Sequence, residues 1–477
     1  MCRFFVESNV TIAKFIATCL YITKWLYKEL KESFHVKTVD LTTGNVQRVI
    51  VALALPLVGS SLLQFTYSLV DMFWVGALGS DAVASIGAAS FYIMLAQAIQ
   101  SLIVVGAGIK VSQAVGKHDD ARIQRYVRSG RRLNVGLGLS AALLLVSLGP
   151  TLIGFLNMNA PTVEHLAYQY LLVSAPMLLF SFFNLLFARL FSAYGNTTTA
   201  MRINATGVIL NMILSPLFIY PFGLGVLGAG LATLVANAVM FGFFWHRSKA
   251  LFDWNETITP VRADYVEIVR LGFPMATQRV LFTVISIFLA RMIGSYGTEA
   301  IAAQRIGLQI ESIAYMIIGG LNGAIASYTG QNLGARKIDR VHEGYRVTTR
   351  LGILYTGLIT LVFLVFPDML IRAFVVDPMT IEIGVSYLRI IGVSLIFASF
   401  EMIGNGYFSG LGLPKIPATI SIVFTVARIP LAIVLEPYLG INAIWWSIAI
   451  SSIVKGLVSA LYVQLTKKEV TSLAEAI

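Results

Sequence analysis

Apolar stretches of about twenty or more residues, separated by short polar breaks, run through the chain from residue 50 to residue 465. They fall at about 50–76, 82–113, 131–156, 163–194, 199–220 and 226–246. After a polar segment at 247–265 they resume at about 267–293, 299–329, 350–374, 380–411, 416–436 and 441–465. A helix needs roughly 20 predominantly apolar residues to cross a bilayer. The pattern therefore predicts an all-α membrane protein with about twelve transmembrane helices, six in each half. Six helices return the chain to its starting side, so both halves have the same orientation and any symmetry axis between them runs along the membrane normal.

The halves repeat in sequence. A shift of 218 residues pairs Pro56 with Pro274, Gly76 with Gly294, Gly79 with Gly297, Gln113 with Gln331 and Gly116 with Gly334. It also pairs Arg122 with Arg340, Arg128 with Arg346 and Arg132 with Arg350; from Leu53 to Arg132, 15 of 80 positions match without a gap. The matches sit on Pro, Gly and loop Arg rather than on interchangeable apolar residues. Two half-molecules around a central site are a transporter's architecture. The expected fold is thus two pseudosymmetric six-helix bundles in parallel repeat, with a V-shaped central cavity. Residues 1–44 form an N-terminal extension, 45–246 the first lobe, 247–266 a cytoplasmic linker, 267–465 the second lobe and 466–477 a cytoplasmic tail.

Composition agrees: 57% of residues are hydrophobic, mean hydropathy is +0.78, and only 12% are charged, against about 25% in soluble proteins. The net charge of +11 does not point to nucleic acid, because the Lys and Arg cluster in short loops. The segment 114–132 holds Lys117, Arg122, Arg125, Arg128, Arg131 and Arg132, and its repeat partner holds Arg336, Lys337, Arg340, Arg346 and Arg350. The alternate loops (77–81, 157–162, 221–225, 294–298 and 436–440) carry no Lys or Arg, with Arg291 and Arg372 the exceptions near that side. Lys and Arg mark cytoplasmic loops, so a multi-pass protein of the cell (plasma or inner) membrane with both termini in the cytoplasm is expected. The bilayer and small molecules are its expected partners, and the protein is expected to be a monomer. Cys2 and Cys19 both lie in the extension, and the five histidines are scattered, so neither a disulfide framework nor a metal site is suggested. In the extension, Lys24, Lys28 and Lys31 share one helical face, which suits a helix lying on the membrane surface, with a poorly ordered tail as the alternative.

Polar residues inside the apolar runs are the candidate chemistry. A charge at membrane depth costs about 2.5–3.5 kcal/mol on insertion scales, so it faces a cavity or a partner. Asp71 is the acid of the first run. With Gln64 and Tyr67 it forms a stripe at i, i+3 and i+7, although the Gly76–Ser80 turn is near enough for an interfacial Asp. Its repeat partner is Leu289, so the acid breaks the pseudosymmetry. Gln64, Tyr67, Asn184 and Gln278 are the expected polar lining of the cavity. Pro56 and Pro274 each remove a backbone hydrogen bond and are expected to kink their helices. In the second half, Arg279, Glu401 and Arg428 are expected to form a neutralising polar network, with Glu401 touching one of the two arginines.

Three segments resemble the multidrug and toxic compound extrusion (MATE) family of cation-coupled antiporters, prokaryotic type. They are Ala54-Leu55-Pro56 with Leu69-Val70-Asp71-Met72-Phe73-Trp74-Val75-Gly76, then Gln304 to Ala335, then Gly440 to Ser447. The resemblance covers about residues 45–465. It implies a coupling site in the first lobe built from an Asp on helix 1, an Asn and an Asp four apart on helix 5, and a Thr on helix 6. Asp71, Asn211 and Thr233 match; Ser215 stands where the family has the second Asp, which weakens a sodium site. Asn211 and Ser215 share a helix face, and with Thr233 they offer neutral oxygens that suit a hard cation. A Ser or Thr can equally bond back to its own helix.

The resemblance implies a secondary antiporter that exports amphipathic, often cationic, organic compounds by alternating access, with H+ or Na+ as coupling ion and no cofactor. A flippase for lipid-linked or polysaccharide precursors is the alternative on a related fold, but the first half offers few cations within its runs to hold a pyrophosphate, Arg189 and Arg202 among them. A membrane enzyme is disfavoured, because no nucleophile elbow, phosphate loop or His cluster is present. Protons are favoured over sodium, since a proton neutralises Asp71 without a shell of oxygen ligands.

Overall fold

The computed structural model of the chain describes residues 39–156, 160–252, 258–467 and 469–471. Fifteen helices and no strand occur among them: α1 (Val46–Gly76), α2 (Ser80–Gly116), α3 (Asp120–Ser147), α4 (Gly149–Phe155), α5 (Pro161–Ala193), α6 (Thr197–Ile219), α7 (Gly225–Ser248), α8 (Arg262–Gly294), α9 (Thr298–Gly334), α10 (Ile338–Val365), α11 (Pro367–Arg372), α12 (Pro378–Leu411), α13 (Lys415–Val426), α14 (Arg428–Leu439) and α15 (Asn442–Leu465). Eleven spans are long and apolar enough to cross a membrane, with α13 and α14 together making one. A twelfth arises if α3 and α4, bent by 70° at their junction, count as one.

The repeat is written into the helix ends. Shifting by 218 residues carries the bounds of α1 end, α2, α3 and the start of α4 onto those of α8 end, α9, α10 and the start of α11. Backbone angles follow: Gly79 and Gly297 have φ of 104° and 106°, and His118 and Arg336 are left-handed at 55° and 59°. Local side chains set several helix starts. Asn45, Asp119, Asn196 and Asp377 each accept a hydrogen bond from the backbone N–H three residues on, the usual relief for an orphan donor.

Helices α3 and α10 begin at Asp120 and Ile338, well before the apolar runs at 131 and 350. Their first turns hold the basic residues, which need no lipid and so leave no apolar signal. The run at 416–436 is two helices, interrupted at Ala427. Pro56 and Pro274 both lie inside continuous helices.

The lobes meet at the end of the bundle that carries the basic loops. The first turns of α1 (Val46, Val49, Ile50, Leu53) join a core made largely of second-half residues, including Leu321, Ile325, Tyr328, Ile403 and Tyr407. Reciprocally, Ile268 at the start of α8 is buried among Ile103, Ala107, Phe187 and Phe191 of the first half. Each half's first helix therefore leans on the other half. Close approach there needs glycine: a Cβ on Gly106 would strike the Ile268 carbonyl, and one on Gly272 the Leu102 carbonyl. Polar bonds reinforce the contact, with Lys110 on Glu267 at 2.7 Å and the Tyr126 hydroxyl donating to the same carboxylate at 2.7 Å. Away from this end, large apolar residues of α1 and α8 such as Met72, Phe73, Ile287 and Phe288 are exposed.

Residues 39–44 belong to the packed structure rather than to a separate extension. Leu41 is fully buried, and Asn332, Lys337 and Arg340 donate to the carbonyls of Leu41, Thr42, Thr43 and Gly44. The face of Lys24, Lys28 and Lys31, and both cysteines, lie outside the described residues.

Candidate functional site

In the first half, a chain of neutral polar groups runs from helix to helix. Within α6 the Ser215 hydroxyl donates to Asn211 Oδ1 at 3.0 Å, and Asn211 Nδ2 donates across to Thr233 Oγ1 on α7 at 3.1 Å. Thr233 in turn donates to the Ala229 carbonyl at 3.0 Å and its own carbonyl accepts from Asn237 Nδ2 at 2.9 Å. Asn184 on α5 donates to the Asn237 carbonyl (3.0 Å) and side-chain oxygen (3.1 Å). The Tyr67 hydroxyl of α1 lies close to Thr233, beside the set. The i, i+4 spacing of Asn211 and Ser215 puts both on the face of α6 turned to α7. Both are almost fully buried, so each needs such partners.

Asp71 stands beside this chain rather than in it. It is half-buried on α1 and close enough to Tyr67 and Tyr170 to act on both electrostatically. Its Oδ1 is buried and has no hydrogen-bond partner among the described residues. A buried carboxyl oxygen without a donor is costly, and the arrangement can accept a proton or a cation. At the equivalent place in the second half, Leu289 is buried in an apolar cluster.

The polar lining expected from the sequence divides. Gln64 is exposed and Tyr67 half-buried on α1. Gln278 on α8 is half-buried, with Oε1 lacking a hydrogen-bond partner among the described residues. Asn184 is corrected: it is 4% exposed and spends its amide on Asn237, so it lies in the interior of the first lobe.

The second-half network is real, but two of its expected members are rearranged. Glu401 on α12 contacts neither Arg279 nor Arg428. Its carboxylate pairs with Lys455 of α15 at 3.0 Å and accepts from the Ser421 hydroxyl at 2.6 Å. Arg428 donates to Ser451 (3.1 Å) and Ser452 (3.4 Å) and lies 5.8 Å over the Phe282 ring. It acts on Glu401 and Glu311 through the field rather than through contact. Glu311 of α9 accepts from the Tyr387 hydroxyl at 2.6 Å. Arg279 falls outside the network: it is exposed on α8, because depth along a helix does not fix the side on which a residue projects. The cluster therefore holds two acids and two bases, and Glu311 and Lys455 are the residues the sequence reading passed over. Lys455 was visible as a lone cation inside the last apolar run, and Glu311 inside the eighth.

Among the described residues, no group of three or more His, Cys, Asp or Glu is placed to hold a metal ion.

A protein-family model described as MatE matches residues 56–217 and 274–434, one match in each half. The probable multidrug resistance protein NorM of Thermotoga maritima is 27% identical over 415 residues, covering 84% of this chain and 88% of that protein. The multidrug export protein MepA of Staphylococcus aureus is 24% identical over 426 residues, covering 88% and 93%. A solved structure described as the outward-facing conformation of a multidrug resistance MATE family transporter of the MOP superfamily superimposes with a TM-score of 0.84 at 24% identity, over 91% of this chain and 99% of that one. At that identity the likeness establishes the fold.

Proposed function

The chain belongs to the MatE family, whose model spans both of its halves, and on that premise we propose that it is a secondary antiporter exporting small amphipathic organic compounds, cations among them. Its basic end faces the cytoplasm, and the lobes rock about the central axis to expose the cavity to either side in turn. Asp71 is the coupling group, a proton is the favoured coupling ion, and sodium is its competitor.

One observation carries this reading: the buried Asp71 Oδ1 has no donor among the described residues, next to Tyr67 and the Thr233–Asn211–Ser215 chain. Protonation gives this carboxyl a hydrogen to donate and removes a charge from a largely apolar lobe. A sodium ion would instead have to recruit oxygens already engaged with one another: Asn211 Oδ1 by Ser215, Thr233 Oγ1 by Asn211. With Ser at 215 there is also no second carboxylate to balance the ion. Proton entry from outside and proton release inside then alternate with substrate occupancy of the shared cavity.

The experiment is transport by the full chain in lipid vesicles, with a fluorescent organic cation and imposed pH or sodium gradients. Counterflow of the dye driven by the pH gradient is expected. Gradient-independent leakage of the dye, or no flux under either gradient, would overturn the reading.

A further inference from the structure

At the basic end, two glutamines related by the repeat each donate to a backbone carbonyl in the last turn of a helix of the opposite half. Gln113, at the end of α2, donates through Nε2 to the Gly410 carbonyl of the second half at 3.0 Å. Gln331, 218 residues on at the end of α9, donates through Nε2 to the Ala193 carbonyl of the first half at 2.6 Å. The two side chains are 6% and 3% exposed, so both bonds are made out of water.

The acceptors explain why the geometry holds. The last carbonyls of a helix have no partner within it. In α5, the Leu190, Phe191 and Ser192 carbonyls are taken by the turn through Tyr194, Gly195 and Asn196, which leaves Ala193. In α12, the turn through Gly412 and Leu413 takes the Phe408 and Ser409 carbonyls, which leaves Gly410. Each orphan carbonyl is met by a glutamine of the opposite lobe. The backbones beneath them touch in the same reciprocal way: a Cβ on Gly116 would strike the Gln331 carbonyl, and one on Gly334 the Gln113 carbonyl.

We infer that Gln113 and Gln331 form a two-fold clasp that holds the lobes together at the basic end and must open, both bonds at once, each time the cavity turns to that side. The inference rests on the antiporter reading only in taking the lobes to rock. The clasp is built from neutral groups, so neither ion nor substrate is needed to form it. Its strength is suited to a switch: once water enters, amides and carbonyls regain partners, and each bond is worth only about five- to tenfold in the equilibrium. Because the reciprocal contacts of Gly116 with Gln331 and of Gly334 with Gln113 bring both bonds to one seam, they load together, which favours one joint step over piecemeal opening.

The test uses the full chain in lipid nanodiscs, with Cys2 and Cys19 replaced by Ser and spin labels at two exposed positions of the basic end, Asp120→Cys and Asp339→Cys. A second labelled protein carries Ser80→Cys and Thr298→Cys, an exposed, repeat-related pair at the opposite end. The parent should give one short basic-end distance. Gln113→Met and Gln331→Met keep the volume and remove the donor. Each should raise the fraction with a long basic-end distance about five- to tenfold, with a matching shortening at the opposite end, and the double variant should exceed both. If a methionine variant does not fold, Gln113→Asn and Gln331→Asn, one methylene too short to reach, read the same quantity. Unchanged distances in folded variants, or a basic end that lengthens with no answering change at the other, would overturn the clasp. Distances that respond while no gradient-driven flux is found would sink the antiporter reading and leave the clasp standing.

Discussion

Removing Lys455 alone from its pair with Glu401 should be far worse than removing both partners. The two side chains are 6% and 13% exposed and their charged atoms are 3.0 Å apart. At an effective dielectric of about 20, that separation corresponds to an attraction of roughly 5 kcal/mol, offset by a desolvation cost of several kcal/mol per ion. The intact pair is therefore close to neutral for stability, whereas a bare Glu401 keeps its desolvation cost and loses its counter-ion. Breaking a buried pair costs about 3–5 kcal/mol. Glu401 retains the Ser421 hydroxyl and the field of Arg428, so Lys455→Met should fall at the lower end, about 3 kcal/mol. The double change Glu401→Gln with Lys455→Met leaves Ser421 a neutral acceptor and should cost under about 1 kcal/mol. Reversible unfolding of the four proteins in one detergent, arranged as a double-mutant cycle, reads the coupling. Additive losses, with the double variant as unstable as the sum of the singles, would refute the argument that the charges answer one another.

The strap at 39–44 depends on Arg340, which donates to the carbonyls of Leu41, Thr43 and Gly44. Arg340→Ala should raise hydrogen exchange of residues 41–46 by an order of magnitude while leaving α5 unchanged; equal protection in both proteins would count against the strap. Burial pushes the Asp40 carboxyl up, but hydrogen bonds from Thr42 and Thr43 and the nearby Lys337 outweigh it and hold its pKa below the usual aspartate range. A lowered folded pKa gives stability above the unfolded value of about 3.9 that is lost on further acidification. The strap of the parent should thus loosen below about pH 4 and that of Asp40→Asn should not respond there, by the same exchange measurement. Ser215→Asp restores a second carboxylate beside Asn211 and should make transport more sodium-dependent; identical sodium responses would argue that α1, α6 and α7 do not share one ion site.

How much of this was legible in the sequence depends on what each residue's role required. Helix number and repeat needed only apolar length and the spacing of Pro, Gly and Arg, and the 218-residue shift carries through to φ angles at Gly79 and Gly297. The neighbourhood of Asn211, Ser215 and Thr233 followed from the family resemblance, and the hydrogen bonds bear out that they meet. What failed was azimuth and distance across the chain. Depth along a helix does not tell that Arg279 is exposed and out of contact with Glu401 while Asn184 is turned into the first lobe. Lys455 sits 54 positions from Glu401, and no local pattern ties them. The glutamines were visible as repeat matches, but their acceptors are backbone carbonyls 297 and 138 residues away, which no side-chain pattern can announce.

If Asp71 couples ion to substrate as proposed, Asp71→Asn in vesicles must separate substrate binding from gradient-driven flux. The substitution fixes the neutral form at nearly constant size. Binding of the fluorescent cation should stay within a few-fold of the parent, while flux driven by an imposed pH gradient should fall to the level of empty vesicles. Flux through Asp71→Asn at the parent rate under the same pH gradient would contradict the account and remove Asp71 from the mechanism.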